Sequence, residues 1–288
     1  MASFRSRSAS RRSLETACRD CFICSRWSWR ACWAFVPVPA GRTAFAAALP
    51  QPALALPRRM WYTVTHYAAL HPKEDAEMKK LTDFVLAVLA GASIAIGGTA
   101  FLSLDNRIAG ALFFCVGLFM VCSFGLNLFT GKVCYFPGKP PAYLGWLALV
   151  WAGNLVGAEL AALCVRCTRA GPALAEKAAA LCAVKTEDSL ISLFLLGALC
   201  NVLIFVAVES YRACPHELGK YLGLIFGVSV FILCGFEHCV ADMYYFALAG
   251  WWSGRTLLCL LVITLGNCVG GVLLPLCFQL RERTAAPV

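Results

Sequence analysis

Six long runs of apolar residues dominate the sequence after residue 80. Each run is about as long as the ~20 residues that a helix needs to cross the hydrocarbon core of a bilayer. The chain is also 60% hydrophobic and only 14% charged, with a mean hydropathy of +0.72, whereas a soluble domain is nearer half apolar and a quarter charged. We therefore predict an all-α integral membrane protein with six transmembrane helices, at Leu81–Leu104, Ile108–Phe129, Tyr143–Cys164, Ser189–Val208, Tyr221–Leu248 and Thr256–Leu280.

Residues 1–80 differ in composition from the rest of the chain. The opening stretch MASFRSRSASRRS is basic and rich in serine, and acid-poor starts of this kind are typical of transit peptides. A disordered extension, or sequence upstream of a start at Met60, explains it equally well. We predict an extension over residues 1–80 that ends in a short cytoplasmic helix, a six-helix channel domain over residues 81–280 and a tail over residues 281–288.

The basic residues beside the predicted spans indicate the orientation of the chain. Six spans place both termini on one side, and basic flanks mark the cytoplasm. One face holds eight of these residues: Lys79, Lys80, Lys132, Lys139, Arg212, Lys220, Arg281 and Arg283. The other face holds six: Arg107, Arg166, Arg169, Lys177, Lys185 and Arg255. We expect cytoplasmic termini in a plasma (inner) membrane, with an organelle as the alternative, and we do not interpret the net charge of +9 as a nucleic-acid footprint.

Seventeen cysteines raise the alternative of a membrane-embedded thiol or metal enzyme. Thirteen of them lie after residue 100, mostly inside predicted spans, where cysteine behaves as a small apolar residue. Two pairs have C-x2-C spacing, Cys21 with Cys24 and Cys164 with Cys167. The run of cysteines over residues 18–32 is spaced somewhat like an iron–sulfur motif, but its last interval is wrong and no proline follows. We predict no metal, no cofactor and no enzymatic activity.

The sequence between residues 81 and 280 contains a repeat. The segment GLNLFTGK (Gly125–Lys132) is followed 110 positions later by GFEHCVAD (Gly235–Asp242), and GNLVG (Gly153–Gly157) is followed 113 positions later by GNCVG (Gly266–Gly270). A duplicated unit of three spans has an odd number of crossings, so its two copies must have opposite orientations. Inverted repeats with corresponding glycine-interrupted segments are typical of transport proteins whose site lies near the midplane.

The repeated segments are expected to interrupt their helices. Non-helical backbone at membrane depth is tolerated only where protein or a water-filled cavity surrounds it, so two symmetric breaks indicate a shared pore. The alternative for Gly125 and Gly235 is close helix packing. We prefer that interpretation for the small-xxx-small glycines of the third and sixth spans. Asn154 and Asn267 would then hydrogen-bond across helices, with a place along the pathway as the second possibility.

His238 is the only one of the four histidines that lies in a predicted span. A lone buried histidine is usually a structural residue, but His238 adjoins Glu237 at a predicted break, and intramembrane ionisable groups generally mark function. An imidazole can exchange a proton near neutral pH. We expect Glu237 to orient the imidazole or to anchor the broken backbone. Asp242 would share the face of His238 if the helix resumes after the break.

At these residues the sequence resembles the formate/nitrite transporter family of anion channels, over about residues 73–280. Six segments carry the resemblance, one in each span: AGASIAIGG, GLNLFTG, GNLVGAEL, LCNVLIFVAV, FILCGFEHCVADMY and LGNCVGG. The family implies an aquaporin-like inverted repeat with broken second and fifth helices, assembled as a homopentamer with one pore per subunit. Aquaporin itself is disfavoured because both breaks lack Asn-Pro-Ala.

The resemblance also implies roles for individual residues. His238 corresponds to the central pore histidine and Thr130 to its hydroxyl partner, whereas Lys185 and Asn201 match polar positions near the pore entrance and centre. Six residues would form apolar constrictions: Phe114, Leu118, Leu128, Phe129, Phe231 and Ile204. The expected pathway also includes Glu237 and Asn267. The sequence departs from the family pattern at Asn127, where an acid is usual, and at Lys132 and Asp242, which replace commonly neutral residues.

The expected function is passage of small monovalent anions such as formate, nitrite or related weak-acid anions, assisted by the pore histidine and by protons. The helix breaks and Lys185 would attract the anion, and the apolar rings would remove its water. For Lys185 the alternative is an interfacial lysine that extends to the headgroups. The alternative function is a proton-coupled carrier of short monocarboxylates such as acetate or lactate. The expected partners are the anion, protons, the lipid bilayer and four further copies of the chain.

Overall fold

The computed structural model describes residues 72–284, with side chains from residue 77. The predicted extension therefore lies outside the described residues, apart from its last part. Within residues 72–284 the chain forms nine helices: α1 (Pro72–Ser103), α2 (Arg107–Phe124), α3 (Phe129–Val133), α4 (Ala142–Arg166), α5 (Gly171–Glu187), α6 (Leu190–Ala213), α7 (Glu217–Cys234), α8 (Cys239–Ala249) and α9 (Gly254–Thr284).

Six of these helices are long and apolar enough to cross a membrane, which confirms the predicted number of spans in the described part of the chain. They are α1, α2, α4, α6, α7 and α9. The second and fifth predicted spans are each divided, so that α2 is followed by the short helix α3 and α7 by α8. The two predicted helix breaks are therefore present.

The structure differs from the sequence-based expectation at three places. Residues 72–80 continue without interruption into the first spanning helix instead of forming a separate short helix. Residues 281–284 extend the last helix rather than belonging to a tail. The segment between the third and fourth spans, for which no helix was predicted, is the helix α5. It contains many alanines, which are strong helix formers, but it is more polar than the six spanning helices.

The packing of the helices repeats between the two halves. In the first half α1 contacts α2 and α4, and in the second half α6 contacts α7 and α9. The short helices are exchanged between the halves, because α8 packs against α1 and α4, whereas α3 packs against α6 and α9. Each half thereby closes around the broken segment of the other.

Glycines set the closest approaches between helices. A Cβ atom on Gly157 of α4 would overlap the carbonyl oxygen of Val88 in α1, and one on Gly270 of α9 would overlap that of Ala198 in α6. The two receiving carbonyls are 110 positions apart, so the contacts are equivalent in the two halves. The packing interpretation of these small-xxx-small segments therefore agrees with the structure.

We expect Gly157→Ala to destabilise the protein by about 1–3 kcal/mol, because the added methyl group forces α1 and α4 apart. Gly145→Ala in the same helix is the matched control, since a Cβ atom there meets nothing within 4 Å. It should be neutral or slightly stabilising, because alanine favours the helix. Thermal unfolding of the detergent-solubilised variants measures both effects, and equal melting temperatures would contradict the packing argument.

Candidate functional site

Two glycines end the helices that lead into the breaks. Gly125 follows α2 with φ 62° and Gly235 follows α7 with φ 71°, both in the left-handed region that side chains disfavour. The next amide nitrogens turn back onto their own helices, since Leu126 N donates to Val121 O and Phe236 N to Phe231 O, each at 2.9 Å. These are C-terminal caps. The glycines therefore terminate helices rather than pack them together, which favours the break interpretation.

The backbone beyond each glycine is paired with the first helix of its own half. Asn127 N donates to Leu86 O and Glu237 N donates to Leu196 O, each at 3.3 Å. Both the donors and the acceptors are 110 positions apart. The predicted repeat therefore extends to individual hydrogen bonds.

Two asparagines complete the pairing. Asn154 on α4 accepts from Phe129 N at 2.8 Å and donates to the carbonyls of Ala87 and Asn127 at 2.8 and 2.9 Å. Asn267 on α9 accepts from Cys239 N at 2.9 Å and donates to the carbonyls of Gly197 and Glu237 at 2.7 and 2.9 Å. We call each set of three bonds an asparagine brace. Each brace ties a break to two neighbouring helices.

The hydrogen bonds of the brace limit what Asn267 could do if it lay on the predicted pathway. Its side chain is fully buried, and its oxygen and amide nitrogen are bonded to backbone groups. These atoms are not available to a passing anion unless the break rearranges. The structure thus supports the cross-helix hydrogen-bonding interpretation of Asn267 more than a direct contact with substrate.

His238 caps the N-terminus of α8 and contacts the other broken segment. Its Nδ1 accepts from Ala241 N at 3.2 Å, and its Nε2 lies 2.9 Å from Thr130 Oγ1 in α3. His238 is 2% exposed and Thr130 fully buried. Because an amide N–H points at Nδ1, that nitrogen carries no proton, and the neutral ring holds its proton on Nε2. The predicted pair of His238 and Thr130 is therefore in contact where the two breaks meet.

Aromatic rings cover one side of this pair. Phe231 stacks on the imidazole of His238, with ring centroids 5.7 Å apart, and Phe114 meets Phe231 edge-to-face at 5.9 Å. All six predicted constriction residues are buried: Phe114, Leu118, Leu128, Phe129, Phe231 and Ile204. The two phenylalanines bring α2 and α7 together directly beside the histidine.

Asn201 of α6 also contacts Thr130. Its Nδ2 donates to Thr130 O at 3.1 Å, and its Oδ1 is buried without a hydrogen-bond partner among the described residues. Cys134 Sγ shares the Thr130 carbonyl at 3.2 Å. Asn201 therefore contacts Thr130 and has one unused acceptor, and its place on the pathway stays a prediction.

Lys185 belongs to a buried ion cluster. It lies near the end of α5, and its Nζ contacts Glu237 Oε2 and, at 2.9 Å, Asp242 Oδ1. The side chains of Lys185 and Glu237 are 11% and 7% exposed. Lys185 thus does not extend to the headgroups, which contradicts that alternative. The cluster also shows that Glu237 binds Lys185 rather than the imidazole. Asp242, expected on the face of His238 and as a departure from the family pattern, is the second partner of Lys185.

The equivalent position in the first half has different chemistry. Asn127 stands 110 positions before Glu237, and its Nδ2 donates to Asp83 O and Oδ1, each at 3.2 Å. Trp146 Nε1 donates to Asp83 Oδ2 at 2.9 Å. The first break is thus flanked by one carboxylate held by neutral donors, and the second by an ammonium group between two carboxylates.

The cysteines do not form an alternative site in the described part of the chain. Residues 72–284 contain no group of three or more His, Cys, Asp and Glu side chains placed to hold a metal ion. Cys164 and Cys167 are free and exposed at the end of α4, and the cysteines of residues 18–32 lie outside the described residues.

Comparison with known proteins identifies relatives of the whole membrane domain. A family model described as formate/nitrite transporter matches residues 63–280. A probable formate transporter of Methanothermobacter thermautotrophicus is 31% identical, covering 71% of this chain and 89% of its own. A nitrite transporter of Salmonella typhimurium, NirC, is also 31% identical, covering 66% and 78%. A solved pentameric formate channel with formate bound aligns with a TM-score of 0.64 at 26% identity, covering 72% of this chain and 99% of that structure.

We expect Asn267→Asp to destabilise the protein, because a carboxylate keeps the acceptor for Cys239 N but loses both donated bonds. Each buried carbonyl left without a donor costs about 1–3 kcal/mol. Asn106→Asp is the matched control, since Asn106 caps α2 by accepting from Ala109 N and aspartate caps equally well. In thermal unfolding of the solubilised proteins, the melting temperature of Asn267→Asp should be lower than that of Asn106→Asp. Indistinguishable melting temperatures would show that the brace is not needed.

Proposed function

Since the chain belongs to the formate/nitrite transporter family, we propose that it is a transmembrane channel for small monovalent anions such as formate or nitrite. The observation that carries the proposal is the contact between His238 and Thr130. It joins the two broken segments, and the stacked rings of Phe231 and Phe114 cover it. A polar pair between apolar side chains is the arrangement that a narrow selective passage requires.

The apolar side chains account for selectivity against hydrated ions. A small anion entering this layer must give up its water, and burying an isolated charge is costly unless it is paired or neutralised. A weak acid has an alternative that a chloride-like ion lacks, because it can cross the layer as a neutral molecule. Phe114, Phe231 and His238 are 1–2% exposed, so passage requires these side chains to rotate aside.

His238 serves in this proposal as a hydrogen-bond donor. Its Nδ1 is occupied by Ala241 N–H, and a second proton there would break the cap of α8. Its Nε2–H points to Thr130 Oγ1 and is the proton that an anion or neutral acid can receive as a hydrogen bond when it replaces the hydroxyl. This is narrower than the sequence-based expectation, which also allowed His238 to donate a proton outright.

We further propose that the chain assembles as a homopentamer in a plasma membrane, with cytoplasmic termini. The solved neighbour is a pentamer, and the spanning helices carry many exposed large apolar side chains, for example Phe113, Leu195 and Leu265. Neighbouring subunits and lipid would cover these faces. The relatives are channels and transporters, and the comparisons do not favour the carrier of acetate or lactate.

We expect His238→Phe to lower anion flux by about tenfold or more, because the ring keeps its stacking with Phe231 but cannot donate a hydrogen bond, which is worth about 1–3 kcal/mol in a buried site. His216→Phe is the control, since His216 is exposed at the start of α7. Flux of formate, nitrite, acetate and lactate into proteoliposomes between pH 5 and pH 8 measures the effect. Wild-type flux in the His238→Phe protein across this range would refute the role of the imidazole, and no flux of any of these anions in the wild type would refute the proposed function.

A further inference from the structure

The cluster of Lys185, Glu237 and Asp242 has more acid than base. Lys185 Nζ binds Glu237 Oε2 and Asp242 Oδ1, so one ammonium group faces two carboxyl groups. Asp242 is 1% exposed, and its Oδ2 is buried with no hydrogen-bond partner among the described residues. A carboxylate oxygen without a donor is costly at such a site.

The surroundings do not supply the missing positive charge. Within residues 72–284 the basic side chain in ion-pair contact with Asp242 is that of Lys185. The other titratable groups near the cluster are the imidazole of His238, whose Nδ1 accepts from Ala241 N, and thiols and phenols, which are neutral at neutral pH: Cys182 of α5, Cys200 of α6, Cys239, Tyr244 and Tyr245 of α8, and Cys259 of α9. Arg255 of α9 is exposed and donates to the carbonyls of Thr186 and Asp188 at the end of α5. On α4, Arg166 approaches Gly250 at the far end of α8, and on α1, Thr99 binds the hydroxyl of Tyr244. With both acids ionised, the cluster would carry one uncompensated negative charge.

The arrangement of the two acids also favours a bound proton. Glu237 and Asp242 both contact the single Nζ of Lys185, and two like charges held so close together disfavour ionisation of both carboxyl groups. Tyr245 OH is a second buried polar atom without a partner in the described part of the chain. The site is therefore built to hold a proton that no residue of the cluster provides when all three are in their ordinary charge states.

We propose that Lys185, Glu237 and Asp242 form a proton-binding site that holds one proton, carried as the carboxyl group of Asp242, at neutral pH. Asp242 Oδ1 then accepts from Lys185, and Oδ2 bears the proton, so the cluster is neutral. The proton comes from water of the adjacent entrance as H3O⁺ and returns to it as the pH rises, with no other bond made or broken.

This inference rests on the proposed function when it is extended to transport. Glu237 adjoins His238, and Asp242 N donates to His238 O at 3.0 Å, so the cluster is attached to the pore histidine through the first turn of α8. Below the pH of proton release the cluster is neutral and admits an anion. Above it the cluster is negative and repels one, since unit charges interact strongly in a medium of low polarity. The anion entrance would thus be open when protons are available.

The infrared spectrum tests the site without reference to transport. In the purified protein in lipid at pH 7, we expect the C=O stretch of a protonated carboxyl group that disappears in Asp242→Asn. It should disappear also in Glu237→Gln, because Lys185 then balances the single remaining carboxylate. Asp105→Asn is the control. Asp105 is exposed, and its hydrogen bond and ion pair with Lys177 hold the pKa of its carboxyl group below the usual value, so it is ionised at pH 7.

Each outcome of this experiment decides the proposal. Absence of the band in the wild type, or its persistence in either cluster variant, overturns it. If a variant fails to fold, titration of the wild type decides instead: the band should be lost with rising pH in a single one-proton step, and a band that does not titrate overturns the proposal.

Anion flux then tests whether the charge of the cluster affects transport. The ratio of wild-type to Asp242→Asn flux cancels the pH-dependent protonation of the anion itself, which both proteins share. We expect this ratio to be constant at low pH and to fall by up to about tenfold per pH unit above the proton release, as for one titrating group. The same ratio for Asp105→Asn should stay flat. A flat ratio for Asp242→Asn overturns the coupling to transport. Absence of flux in all proteins would instead count against the proposed function, and the infrared result would still stand.

Discussion

The structure depends on one constraint, the need to pair every backbone amide and carbonyl in a region where water is excluded. Two helix breaks at membrane depth expose such groups, and each is paired in the same way. A left-handed glycine caps the preceding helix, a carbonyl of the first helix of the half receives the next amide, and Asn154 or Asn267 provides three further bonds. The breaks are thus rigid parts of the scaffold rather than flexible loops, and this rigidity places His238 against Thr130.

The same cost of placing polar groups in an apolar interior explains why the charged side chains at the breaks are paired. At the first break, Asn127 and Trp146 donate to Asp83, so that one carboxylate is satisfied by neutral groups. At the second break, three ionisable side chains contact one another. The backbone is nearly symmetric at the two breaks, whereas their ionisable side chains differ. In the proposed channel, the two breaks therefore present different charges to an anion.

Much of this arrangement could be predicted from the sequence. The lengths of the apolar runs predict the six spans. The 110-residue offset predicts the breaks and the equivalence of the two halves, because the same glycine-containing pattern recurs at corresponding places of the second and fifth spans. The helix α5 and the cluster could not be derived in this way. Lys185 is 52 residues from Glu237 in the sequence, and only the packing of α5 against α8 brings the two together. The departure at Asp242 was the available signal, but a single acidic residue does not identify its partner.

In the proposed mechanism, His238 and the cluster that contains Asp242 have separate tasks, and the structure gives a reason for this division. His238 uses Nδ1 to hold the first turn of α8, so that taking up a second proton would break a backbone bond on which the braced segment depends. Asp242 Oδ2 is buried and has no hydrogen-bond partner among the described residues, so protonating it breaks no hydrogen bond there. A proton can therefore bind and leave at the cluster while the geometry of the histidine and its Thr130 partner is preserved. In the proposed mechanism, proton binding and hydrogen bonding to the anion are then divided between neighbouring residues of one helix terminus, so that the charge of the cluster can change with pH while the contact of His238 with Thr130 stays the same.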